Sequence, residues 1–67
     1  MMKITLNGET RQIPNDYTAA QLVELLDMTG ERMAMEVNQE IVPRSTYEQH
    51  VLCHGDKIEI VGAIGGG

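Results

Sequence analysis

The chain has 67 residues, 42 % of them hydrophobic, with ten acidic and five basic side chains and a formal net charge of −5. That length admits one small domain with a thin core and leaves little room for an enclosed active-site pocket. Five scattered cations cannot neutralise a phosphate backbone, which argues against nucleic acid, whereas an acidic chain suits docking on a basic protein surface.

Met2, Ile4 and Leu6 alternate with Lys3, Thr5 and Asn7, the period-two pattern of a half-buried strand. No apolar run of leader or membrane-spanning length is present, so an unprocessed cytoplasmic protein without membrane contact is expected. Asn7-Gly8 tolerates the positive φ angles of a type I′ turn, so Glu9 to Ile13 should return antiparallel until Pro14 ends the ladder. Thr18-Ala19-Ala20-Gln21 reads as a capping box opening a helix that runs to about Met28. Ala19, Leu22, Leu25 and Leu26 share one face of it and should be core, and Gly30 is available to close its end. Met33, Met35 and Val37 alternate with Ala34 and Glu36 as a third strand, and Asn38-Gln39-Glu40 turns the chain into a short apolar piece at Ile41-Val42 that Pro43 stops. Ser45-Thr46-Tyr47-Glu48 is a second capping-box pattern, so one helical turn should precede the return of Val51 and Leu52 to the core. His54-Gly55-Asp56 is a turn, and Lys57 to Val61 is the last strand, with Ile58 and Ile60 on one face.

A hairpin, one long helix and further strands imply an α+β fold: a mixed sheet of four to five strands with one main helix packed on one face, the β-grasp arrangement. A split ferredoxin-like sheet would need a second full helix, which residues 45–50 are too few to supply. Residues 1–61 are therefore expected to be the domain and residues 62–67 a flexible glycine tail.

That tail, Gly62-Ala63-Ile64-Gly65-Gly66-Gly67, is poor in side chains and, extended, spans roughly 20 Å, enough to carry a terminal carboxylate into a partner's cleft. Glycine suits passage through a narrow channel because it has no side chain and adopts backbone angles that others cannot. A carboxylate becomes a good acyl donor once joined to the α-phosphate of ATP, and attack by a sulfide or persulfide then leaves a thiocarboxylate. The chain lacks a Gly-x-x-x-x-Gly-Lys loop, so a separate enzyme must use the ATP, and no bound cofactor is expected. Taken alone, a glycine-rich end fits an incidental disordered terminus equally well.

The hairpin and single helix, the run Val37-Asn38-Gln39-Glu40-Ile41-Val42-Pro43-Arg44, and His54-Gly55-Asp56-Lys57-Ile58-Glu59-Ile60 leading to a terminal glycine pair together resemble the ubiquitin-like sulfur carriers of thiamine biosynthesis. The resemblance implies that Gly67 is the residue adenylated and converted to thiocarboxylate, with Ile64, Gly65 and Gly66 as the partner-binding tail. It implies three partners: a ubiquitin-activating-like adenylyltransferase, a sulfur donor such as a cysteine desulfurase, and thiazole synthase as acceptor. The chain would then be a protein cosubstrate with no catalytic residues of its own. Gly65 is one glycine more than the minimal family ending. The small subunit of molybdopterin synthase is the nearest alternative, being similar in fold and terminal chemistry but longer and often with proline ahead of the tail. An interaction module whose tail is incidental is a reading of a different class.

The remaining candidates read as structural. His50, His54 and Cys53 do not make a metal-ligand constellation, and no metal site is expected. The histidines suit solvated or capping roles, and Cys53, beside Val51 and Leu52, suits a small buried or partly buried hydrophobe. Glu24, Glu31, Glu36, Glu40, Glu48 and Glu59 read as solvated faces that can steer docking, and Arg44 as a residue that fixes the turn after Pro43 or meets a partner.

Overall fold

A computed structural model describes residues 1–28 and 33–62. Strand β1 (Met2–Leu6) and strand β2 (Glu9–Ile13) form the expected hairpin, pairing Met2 with Ile13 and Leu6 with Glu9. Asn7 and Gly8 take φ of 49° and 86°, as a two-residue turn with two left-handed positions requires. β1 buries Met2, Ile4 and Leu6, whereas β2 buries Ile13 alone, which suits a strand at the rim of the sheet.

Helix α1 (Ala19–Leu25) is shorter than the periodicity suggested. Its start follows the capping box: the Thr18 amide donates to Gln21 Oε1 at 2.9 Å and the Gln21 amide donates to Thr18 Oγ1 at 3.1 Å. The Ala19 and Ala20 amides, which have no intrahelical acceptor, donate to the carbonyls of His50 and Tyr47. Its end comes before Gly30, a residue outside the described ones. Asp27 adopts φ 60° and donates to the Glu24 carbonyl, and the Met28 amide reaches back to Val23, which together make a Schellman motif. This closure turns Met28 against the core. The sheet takes the stripe Ala19, Leu22, Val23 and Leu26, so Leu25 lies beside it and is 53 % exposed instead of buried.

Strand β3 (Met33–Val37) turns through Asn38 and Gln39, at φ 53° and 72°, into β4 (Glu40–Val42). Val37 pairs with Glu40, so the turn has two residues and Glu40 belongs to the strand. The second capping box does not form. A 3-10 turn covers Arg44–Thr46 after Pro43, without a side-chain cap, and the Thr46 hydroxyl donates back to the Pro43 carbonyl. The turn brings Tyr47 into the core. Of the pair expected to return to the core only Leu52 does. Val51 bridges Thr18 at the surface and is half exposed.

Strand β5 (Lys57–Gly62) completes a five-stranded sheet in the order β2-β1-β5-β3-β4, parallel between β1 and β5 and antiparallel elsewhere. It extends one residue past the expected Val61. The core lies between the helix and the strands' inward residues, with Ile4, Ile13, Leu22, Met35 and Ile58 almost wholly removed from water.

Candidate functional site

The tail leaves the domain from β5, the middle strand of the sheet, and the mounting of that strand is where the fold bears on function. Toward β3 it pairs over all but its first residue, from Val37 with Ile58 to Met33 with Gly62. Toward β1 the ladder proper contains only Thr5 with Lys57 and Leu6 with Ile58, because the chain of β1 then turns away. The Asn7 side chain continues the ladder. Its Oδ1 accepts from the Ile60 amide at 2.8 Å and its Nδ2 donates to the Ile60 carbonyl at 3.2 Å, while its own amide donates to the Ile58 carbonyl. A carboxamide has the donor and acceptor of a peptide unit, so one side chain stands in for the next strand residue.

The entrance to β5 is tied as firmly. Asn38 Oδ1 accepts from the Lys57 amide at 3.0 Å, and Asn38 Nδ2 donates to Asp56 Oδ1 at 3.0 Å. The other carboxylate oxygen of Asp56 accepts from the Cys53 amide at 2.8 Å. The β3–β4 turn, the 53–56 turn and the start of β5 are thus one hydrogen-bonded unit. His54 has a capping role: its Nδ1 accepts from the Lys3 amide at 3.1 Å, and Gly55, at φ 88°, donates to the Lys3 carbonyl. Sequence reasoning treated Asn7 and Asn38 only as turn residues. The signal available was that each combines a left-handed backbone with the one side chain type able to copy a peptide unit.

The expected site residues Ile64, Gly65, Gly66 and Gly67 lie outside the described residues. Cys53 is exposed and not a packed hydrophobe, because the 53–56 turn holds it at the surface through its amide and not through its side chain. Among the described residues no polar or charged side chain other than Tyr47 is buried. The first free amides of α1 are occupied by the carbonyls of the 47–50 segment, so that end of the helix is sealed. No helix among the described residues is long and apolar enough to cross a membrane. What the described residues supply is a strand hydrogen-bonded on both sides as far as Ile60, from which the chain runs on toward Gly67.

Comparison with known proteins agrees in extent with this architecture. The crystal structure of thiamine biosynthesis protein ThiS from Geobacter metallireducens superposes with a TM-score of 0.85 at 25 % identity, covering 98 % of this chain and all of the other. The sulfur carrier protein ThiS of Escherichia coli (strain K12) is 36 % identical over 66 residues, 98 % of this chain and the whole of that protein. A thiazole synthase of Paramagnetospirillum magneticum is 44 % identical over 66 residues, and there the chain spans only 20 % of the relative's length. The model of the ThiS family matches residues 4–67, glycine tail included. On the match from β1 through to Gly67, and on a full-length likeness to a member of known fold, the chain belongs to the ThiS family.

Proposed function

We propose that the chain is a sulfur carrier of thiamine biosynthesis that acts as a protein cosubstrate, with Gly67 as the residue that bears the sulfur. The observation that carries this reading is the family match that runs through Gly67 on a domain whose last strand is held by β3 as far as Gly62 and by Asn7 as far as Ile60.

In this reading the Gly67 carboxylate attacks the α-phosphorus of ATP in a separate adenylating enzyme and pyrophosphate leaves. Hydrosulfide then attacks the acyl carbon, AMP leaves, and the thiocarboxylate remains; where the donor is the persulfide of a cytoplasmic enzyme such as a cysteine desulfurase, the attack gives an acyl disulfide, and a second thiol cleaves it, forming a disulfide with the donor cysteine and releasing the thiocarboxylate. Its sulfur is a soft nucleophile suited to an electrophilic carbon held by thiazole synthase. Ile64, Gly65 and Gly66 thread the clefts of these enzymes, and the domain keeps its own side chains out of the chemistry. The thiazole synthase relative that contains a region like this chain supports that enzyme as the acceptor, since linkage in one chain raises the effective concentration of two parts that act on one another.

The test is the intact mass of the purified protein after incubation with ATP, sulfide and an adenylating enzyme that is active on a known carrier, followed by fragmentation of the tail. Exchange of one oxygen for sulfur nearly matches the mass of one oxidation, and the chain has five Met and one Cys, so the change must be localised. The expected result is thiocarboxylate at Gly67, lost when Gly67 is deleted. A Gly67 that stays unmodified under these conditions would overturn the proposal.

A further inference from the structure

Helix α1 covers one face of the sheet, and the opposite face has no covering element among the described residues. At the middle of that face the β3–β5 register sets Glu36 directly opposite Glu59. Like charges at directly opposed positions of an antiparallel pair repel and weaken the pairing. The two positions face outward, where Thr or Gln would serve the strands without that cost, so the pair is not explained by the fold itself.

The surroundings are apolar. One pleat further toward the tail, Ala34 faces Val61, and on the other side of Glu36 its partner on β4 is Ile41. Val61 and Ile41 are 56 % and 66 % exposed, and Ala34 is exposed as well. Lys57, two residues before Glu59 on the same side of β5, is the one cation beside the pair on this strand and pairs with Thr5 of β1. An acidic centre set between exposed aliphatic side chains is suited to a Lys or Arg presented by an apolar protein surface. The position is also suited, since Val61 lies next to the start of the tail. A partner that takes up Gly67 can lie no further from Gly62 than five extended residues allow, roughly 18 Å.

We propose that this open face, centred on Glu36 and Glu59, is where thiazole synthase docks, through a cationic side chain flanked by apolar ones. The inference rests on the sulfur-carrier reading and adds the surface and the chemistry of its partner. The choice of partner follows from the thiazole synthase relative in which a region like this chain and the synthase share one polypeptide. The charge follows from the pair itself and from the net charge of −5, which speeds the approach of a basic surface and turns away acidic ones.

Association of the full-length protein with the thiazole synthase of the same organism, measured by stopped flow over a range of salt concentrations, tests this. The double variant Glu36→Lys/Glu59→Lys should associate about tenfold more slowly than the native protein and lose most of the salt dependence. The double variant Glu24→Lys/Glu48→Lys, with the same change of net charge on exposed positions of the helix side, should stay within about twofold of native. Glu36→Gln should melt no lower than native and, by removing the repulsion, about 2 °C or more higher, so that a folding defect does not imitate lost docking. Equal association of the face variant and the native protein overturns the proposal, and so does an equal loss in the helix-side control or a synthase that does not bind the native protein. Thiocarboxylation of Gly67, read separately by mass, reports on the carrier function alone and distinguishes its failure from failure of the docking surface.

Discussion

Asn7 shows how much one residue decides in a sheet this small. It occupies a left-handed turn position and at the same time holds Ile60 on the β1 side of the strand that leads to the tail. Asn7→Ala would strand the Ile60 amide and carbonyl and place a Cβ-bearing, non-bonding residue at positive φ, for about 2 kcal/mol of lost stability. The melting temperature should fall by on the order of 10 °C. Asn7→Gly, which relieves the backbone but omits the carboxamide, should recover part of that loss. Equal melting of both variants and the native protein would refute the role assigned to the side chain. Gln39 is the opposite case. Its φ of 72° lies where glycine is at ease, and its side chain makes no compensating hydrogen bond among the described residues. Gln39→Gly should therefore stabilise the domain by about 0.5–1 kcal/mol, visible as a higher urea midpoint at unchanged slope.

At the scale of elements, α1 has seven residues and is too short to persist alone, so its stability comes from its cap and from the sheet. Thr18→Ala removes the acceptor of the Gln21 amide and should cost about 1 kcal/mol, a drop of about 4–8 °C in melting temperature. A melting curve superimposable on the native one would mean that the His50 and Tyr47 carbonyls hold the helix end without the cap. The start of this helix was legible because a capping box is a pattern of four adjacent residues. Its end was not, since Asp27 took the left-handed position ahead of Gly30 when Met28 gained a place against the core. The second capping-box pattern failed for a similar reason. The 3-10 turn begins two residues early, with Pro43 in place of Ser45 at its N-cap, and burial of Tyr47 fixes its phase.

For the whole molecule, the described core and Gly67 are well separated along the chain. The last core residue of β5 is Ile60, and Gly67 lies seven positions beyond it. Deletion of Gly67 should abolish thiocarboxylation while leaving the thermal midpoint within about 1 °C of native, because it removes no side chain and none of the described core residues. A clear fall in the midpoint would show that the tail contributes to folding and would undo this separation.

The elements themselves could be read from the sequence because they rest on short-range physics: Met2-Ile4-Leu6 and Ile58-Ile60 alternate, Asn7-Gly8 admits a left-handed turn, Thr18 and Gln21 cap a helix. The glycine tail and the Asn38-to-Arg44 segment were legible in the same way, as composition and spacing along the chain. Only the tertiary structure could set β5 in parallel beside β1, choose Val23 over Leu25 for the core, and join Asn7 to Ile60 across 53 positions. The same holds for Glu36 beside Glu59, since neither residue signals the other along the chain. Those facts depend on register between distant strands, and register is decided by which faces are buried together, a property of the packed sheet and not of any window of sequence.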